Sequence, residues 1–288
     1  MNRSRSYLFV PATNRSMLEK AVFSKADNAI FDLEDAVAYS EKQNAREIIK
    51  EGLLYLRDTK PIFIRINDVS TSFWEEDLTY AVTYGAAGVI VPKAESTQGI
   101  RLVCQKIEEL VEQKKESNMV KNFQVIPLIE TAKGIQFAYE IASADEMITR
   151  LAFGSIDFSL DINCELTAGG LELLYARSQL VIASRAAHIG APIDSVYPDL
   201  NNLTGLTNET KLAKQIGFGA KLIIHPKQIE PVHTVFSPSH QEIEEAENIV
   251  TEFEKAEKQG AASISVGNKL VDYPIYKKAK ELLAIVNK

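Results

Sequence analysis

The stretch FQVIPLIETAKGI, residues 123–135, opens as a buried β-strand and stops at a carboxylate. Val125, Ile126, Leu128 and Ile129 make a nearly continuous apolar run, the pattern of a parallel strand covered on both faces. Glu130 follows at once, with Thr131, Lys133 and Gly134 behind it. An acid at the end of a core strand asks for a fold in which strand ends form a site.

Seven other runs share this character: SYLFVPA (6–12), AIFDLEDAV (29–37), PIFIRIND (61–68), GVIVPKAE (88–95), RLAFGSID (150–157), PIDSVYPD (192–199) and KLIIHPKQ (221–228). Helical patterns lie between them, with apolar residues at three- and four-residue spacing. They include SMLEKAVFSKA, SEKQNAREIIKEGLLYL, STQGIRLVCQKIEELVEQKKES, GIQFAYEIASA, ELLYARSQLVIASRAAHIG and NETKLAKQIGFG. Eight buried strands alternating with helices predict an α/β protein of the (β/α)8 TIM-barrel class over residues 1–229. A doubly wound open sheet is the rival, disfavoured because no GxGxxG or GxxxxGK loop is present.

Beyond residue 229 the pattern changes. Ser239 and Glu242 have capping-box spacing before a charged helical segment; ASISVGNKLVD reads as a strand-turn, and YPIYKKAKELLAIV as a last helix. Residues 230–288 are expected to be a C-terminal helical extension and lid, packing on the barrel or on a neighbouring subunit.

Composition narrows the function. The chain has 288 residues, 45% hydrophobic and 25% charged, ample for a core. Lys+Arg 32 against Asp+Glu 39 leaves −7, which argues against a nucleic-acid partner. Cys104 and Cys164 have no paired spacing for a disulfide framework or zinc ribbon. No run suits a signal core or a membrane span, so a cytoplasmic protein without membrane contact is expected.

In a barrel of this class the site lies where strands end. The second run ends in Glu34 and Asp35, the third in Arg65 and Asn67, the fourth in Lys93 and Glu95, the fifth in Glu130 and the sixth in Asp157. Glu130 and Asp157, one βα unit apart, are expected to project side by side from adjacent strands. Two carboxylates without sulfur or imidazole suit Mg²⁺, which fills its octahedron with water and substrate oxygens. Read individually, Asp157 also fits a helix cap and Glu130 a solvated loop. Arg65 suits either bidentate recognition of a carboxylate or a structural pairing with Glu34 or Asp35. Lys93 is an electrostatic or structural residue, with a Schiff base as the rival reading. His225 is expected to shape its loop or touch ligand.

These residues, with RSYLFVPA, FDLEDAV, RIND, VPKAE, PLIETAKGI, FGSIDFSLDI, LYARSQLVIASRAA, IDSVYPDLNN, GFGAKLIIHPKQI and GNKLVDYP, resemble the citrate lyase β-subunit and malyl-CoA lyase family over nearly the whole chain. The resemblance implies a TIM barrel, usually assembled as a homotrimer or hexamer. It implies Mg²⁺-dependent cleavage or formation of the C–C bond between a short acyl thioester and a 2-oxo acid. By matching motifs, Glu130 and Asp157 become the metal ligands and Arg65 the clamp on the oxo-acid carboxylate. Glu34 and Asp35 become the acids behind them, and Asp272 in LVDYP an acid/base carried by the C-terminal segment, often over an adjacent subunit's site. Phe9, Lys20 and Arg15 are expected on the thioester side, where VPATNRSMLEKA departs from the family's VPGNRPRMLEKA. The substrate shortlist is citramalyl-, malyl- or citryl-CoA. An acyl-carrier protein substrate and a CoA-independent aldolase remain the alternatives.

Overall fold

The apolar runs form strands, and the strands close. In the computed structural model, which describes residues 4–114 and 123–286, eight parallel strands pair in chain order into a closed barrel. They are β1 (Ser6–Pro11), β2 (Asn28–Asp32), β3 (Ile62–Arg65), β4 (Gly88–Val91), β5 (Gln124–Ile129), β6 (Ala152–Phe153), β7 (Ile193–Asp194) and β8 (Ala220–Ile223). The barrel shuts where Tyr7 of β1 registers with Leu222 of β8.

Side chains alternate along each strand, so one set fills the barrel and the other meets the surrounding helices. Tyr7, Ile30, Phe63, Ile90, Ile126, Leu128, Ala152, Ile193, Ala220 and Leu222 form the inner core. The helices are α1 (Arg15–Phe23), α2 (Lys42–Leu56), α3 (Trp74–Tyr84), α4 (Thr97–Lys114), α5 (Ala132–Gln136), α6 (Ala138–Ala142), α7 (Ser155–Asp161), α8 (Leu174–Ala186), α9 (Leu203–Ile216) and α10 (Ile229–Phe236). The last residues of the STQGIRLVCQKIEELVEQKKES pattern lie outside the described residues.

The outward faces of β7 and β8 carry charge rather than hydrocarbon. Asp194 registers with Lys221 and accepts hydrogen bonds from Lys221 Nζ at 2.6 Å and Arg177 Nε at 2.8 Å. Glu209 of α9 accepts a second bond from Lys221 at 2.7 Å. Burial opposes ionisation of Asp194, but the two cations outweigh it and hold the carboxyl below its ordinary range. A charge cluster this dry is tolerable only because it is mutually paired. On the inner side of the same strand end, Ser195 Oγ accepts the Ser155 backbone N–H at 2.9 Å and shares a hydroxyl bond of 2.7 Å with it.

Residues 4–233 form one compact unit and 234–288 another. In the second, Ser239 and Glu242 make the expected capping box at the start of α11 (His240–Glu257). Strands β9 (Ser263–Val266) and β10 (Lys269–Asp272) form a hairpin turned at Gly267 and Asn268, both at positive φ as a two-residue hairpin turn requires. On α12 (Tyr273–Val286), Tyr276 stacks on Phe253 of α11 at 4.7 Å. No described helix is long and apolar enough to cross a membrane.

Candidate active site

Tyr7, Ile30, Phe63 and Leu128 point into the barrel. Two residues further along each chain the side chain returns to the same face. That places Phe9, Asp32, Arg65 and Glu130 at the C-terminal mouth. Asp32 and Arg65 are register partners. Arg65 Nε donates to Asp32 Oδ1 at 2.7 Å and Nη2 to Oδ2 at 2.5 Å. Its Nη1 donates to Asp35 Oδ2 at 3.3 Å and lies 2.8 Å from Glu34 Oε2. The latter is an ion pair without hydrogen-bond alignment, so Glu34 Oε2 is a buried oxygen lacking a donor. The guanidinium also covers the Phe9 ring at 5.0 Å. Burial opposes its charge, but Asp32, Glu34 and Asp35 outweigh burial and keep Arg65 cationic.

The loop carrying these acids is held from below. Lys42, itself buried, donates from Nζ to the Leu33 and Glu34 carbonyls at 2.6 and 2.7 Å. Asp32 Oδ1 takes the Glu34 N–H at 2.9 Å. After the adjacent strand β3, Asp77 accepts both the backbone and side-chain N–H of Asn67, at 2.9 and 2.6 Å, and is paired to buried Arg46 at 2.7 Å.

Glu130 leaves β5 directly and is only 3% exposed. The Lys93 backbone N–H donates to its Oε1 at 2.8 Å. Lys93 reaches that pose with φ 46, a left-handed conformation costly for a side chain with a Cβ. Gly154 makes room opposite, since a Cβ there would lie 2.6 Å from Glu130 Cβ and Oε2. Burial raises the Glu130 carboxyl to about 7; the Lys93 N–H opposes this, and the charge of Asp157 adds to the rise. Glu34 is pushed further, to about 8, by burial against the pull of Arg65, with Asp35, Glu130 and Asp32 adding repulsion.

Asp157 is not at a strand end. β6 has only two residues, and the chain turns at Gly154 into α7, so Asp157 occupies the first turn of that helix. The expected side-by-side projection from two strands is thus replaced by a strand end facing a helix start, where the helix dipole favours a carboxylate. Among the described residues no group of three or more His, Cys, Asp and Glu side chains is arranged for a metal. An all-oxygen pair, repelling and partly dry, with an orphaned carboxylate oxygen nearby, fits a hard cation that needs few protein ligands.

Two cavities of about 300 and 270 Å³ adjoin at Asp68 and Lys93. Glu34, Asp35 and Asn67 line the first, and Pro92, Glu95 and Lys133 the second. Burial draws the Lys93 ammonium down, but Glu34, Asp68, Asp35 and Glu130 outweigh it and raise its pKa. A Schiff-base nucleophile needs a neutral amine, and this environment works against one.

The HpcH/HpaI aldolase/citrate lyase family model matches residues 5–226. The chain belongs to this family. The citrate lyase subunit beta of Haemophilus influenzae is 36% identical over 284 residues, covering 98% of this chain and 97% of that protein. A (3S)-malyl-CoA thioesterase of Cereibacter sphaeroides is 31% identical over 281 residues, covering 97% and 93%. Among solved structures, the protein CitE of Mycobacterium tuberculosis in complex with magnesium, acetoacetate and coenzyme A superposes with a TM-score of 0.78 at 27% identity, covering 100% of this chain and 99% of that one. The chain is an enzyme of a lyase family, citrate lyase β-subunit-like.

Within this member, the structure gathers Phe9, Glu34, Asp35, Arg65, Glu130 and Asp157 at one mouth and adds Asp32, which sequence reading passed over inside FDLED. Its signal was the two-residue step from inward-facing Ile30. Arg15 is not gathered: it pairs with Glu19 and Glu51 and lies over Tyr55, on the α1–α2 face. Asn14 caps α1 by accepting the Ser16 N–H at 2.9 Å. Lys20 is exposed in the last turn of α1. Asp272 belongs to the unit of residues 234–288, where Oδ1 accepts the Ile275 N–H at 3.3 Å at the start of α12. His225 shapes its loop, with Nδ1 accepting the Lys227 N–H at 3.1 Å.

Proposed function

We propose that this protein is a Mg²⁺-dependent carbon–carbon lyase cleaving, or forming, a 3-hydroxy-3-carboxyacyl thioester. The products are acetyl-CoA and a 2-oxo acid, with citramalyl-, malyl- and citryl-CoA as the substrate set. The observation that carries this is the pairing of Glu130 and Asp157 across from an arginine held square by Asp32. The magnesium, acetoacetate and coenzyme A bound by the similar CitE protein support it.

In this reading Glu130 and Asp157 hold Mg²⁺, with Glu34 behind them. Bound there, the cation supplies Lewis acidity toward the substrate oxygen that becomes the ketone. Arg65, fixed by Asp32, Glu34 and Asp35, offers its remaining N–H groups to the oxo-acid carboxylate. Cleavage removes the proton of the 3-hydroxyl and collapses that oxygen to the ketone. The electrons of the broken C–C bond pass into the thioester enolate, which takes a proton on carbon to give the acetyl thioester. Asp272 is the acid/base assigned to that proton, carried by the C-terminal segment. Phe9 and Lys20 are assigned to the thioester side. A homotrimer or hexamer is the assembly expected, and exposed Leu160, Leu171 and Tyr175 are apolar surface that association would cover.

A carrier-protein substrate is the second reading, favoured by the turn of Arg15 toward Glu19 and Glu51. The test is product formation from the three CoA thioesters, with Mg²⁺ and with EDTA, followed by mass spectrometry. Chelator-sensitive release of acetyl-CoA from one of them supports the lyase and names its oxo acid. Silence on all three, by folded protein that binds Mg²⁺, overturns the free-CoA reading in favour of a carrier protein or a CoA-independent aldolase.

A further inference from the structure

Glu130 and Asp157 stand on different βα units and repel each other, so their separation must be imposed by the chain around them. Glu130 is fixed from one side by the Lys93 N–H. On the other side two bonds join β5 and the loop after it to the β6–α7 segment. The Gly154 N–H donates to the Ile129 carbonyl at 3.0 Å, a continuation of the strand ladder. The Ala132 N–H donates to Asp161 Oδ2 at 2.7 Å.

The second bond is a choice of side chain, not of topology. Asp157 and Asp161 are one turn apart on α7 and lie on the same face. Ala132 is the first residue of α5, and its N–H is one of the donors a helix start leaves unmatched. Thr131 Oγ1 satisfies a different one, the Gly134 N–H at 3.1 Å. A carboxylate acceptor at 2.7 Å is the stronger kind of bond. It joins the residue two places after Glu130 to the helix that presents Asp157.

We propose that Asp161 is a positioning residue: its carboxylate ties the Glu130 loop to α7 and sets the separation at which Glu130 and Asp157 receive a divalent cation. This rests on the assignment of Mg²⁺ to those two acids. Partners that orient metal ligands typically change affinity by about tenfold or more when removed.

The test compares full-length wild type with Asp161→Ala, Asp161→Asn, Asp161→Glu and Glu130→Gln. Mg²⁺ binding is measured by calorimetry, and exchange of the Ala132 amide is measured on metal-free protein. Asp161→Ala is expected to lose protection at Ala132 and to bind Mg²⁺ about tenfold more weakly. Asp161→Asn keeps an acceptor and should recover most of the affinity. Asp161→Glu keeps the charge but displaces the acceptor, and should remain weak; it decides the matter if the alanine variant does not fold. Wild-type affinity in Asp161→Ala or Asp161→Glu overturns the tether. Equal weakness in the alanine and asparagine variants, with wild-type affinity in Asp161→Glu, points to net charge and overturns it too. Unchanged binding in Glu130→Gln instead refutes the metal assignment itself.

Discussion

Asp32 and Arg65 face each other as register partners on β2 and β3, joined by a two-point pair of 2.7 and 2.5 Å at the barrel mouth. The pair turns a flexible cation into a fixed one, beside the Glu34 and Asp35 carboxylates that line the first cavity.

Removing its acid should be expensive. Asp32→Ala leaves a buried guanidinium short of its main partner, a change worth about 3–5 kcal/mol in comparable pairs. Equilibrium urea unfolding should report a loss in that range. Arg65→Lys cannot reproduce the fork and should lower kcat/KM by at least tenfold. A lysine variant with wild-type kinetics would remove Arg65 from substrate recognition.

Gly154→Ala tests the packing behind Glu130. The added methyl would sit 2.6 Å from both Glu130 Cβ and Oε2, so either the carboxylate or the start of α7 must move. Overpacking of this kind costs about 1–3 kcal/mol. Mg²⁺ affinity should fall with stability, and calorimetry together with thermal melting checks both.

Lys93 holds a left-handed backbone to deliver its N–H. Lys93→Gly and Lys93→Ala both delete the ammonium, but only glycine relieves the strain. The glycine variant should be more stable to unfolding than the alanine one, by about 1 kcal/mol in equilibrium urea unfolding. Both should lose activity alike if the charge beside the cavities is used. Equal stability of the two would mean the φ value carries no cost.

Where the barrel closes at its other end, Ser6 Oγ bonds His233 Nε2 at 2.7 Å and Asp27 takes the Arg5 N–H and guanidinium. Burial depresses the His233 pKa, with Arg5 and Lys60 adding to this against Asp27. Asp27 is also depressed: burial opposes, but its bonds to Arg5 outweigh it. A depressed folded pKa means that stability is present above the unfolded value and lost as pH falls. The histidine part should therefore erode below about pH 6.5 and the aspartate part below about 3.8. His233→Gln should flatten melting temperature between pH 7 and pH 5 relative to wild type. An unchanged slope would remove the histidine from the acid response.

The two thiols should separate cleanly. Burial pushes Cys104 up to about 12, whereas Cys164 is half-buried. With a thiol reagent at neutral pH, native protein should label at Cys164 first and at Cys104 only on unfolding. Peptide mapping gives the order.

The barrel was legible in the residues themselves. Strands buried on both faces read as unbroken apolar runs, and helices as three- and four-residue periods, because both signals are local. The capping box at Ser239 and Glu242 was legible for the same reason. The acids at run ends could be placed at one rim, since all strands of the barrel run one way. What tertiary structure alone decided is which groups meet. Asp32 pairs with Arg65 because of strand register, a relation between distant segments. Asp157 sits on a helix because β6 ends after two residues, and Asp161 reaches Ala132 only once α7 lies against the loop that follows β5. Arg15, expected toward the thioester, is turned to Glu19 and Glu51 by the set of α1 on α2. Local patterns record how a segment wishes to fold and which face it buries. Partners across a mouth depend on the stagger of the closed sheet, which no single segment contains.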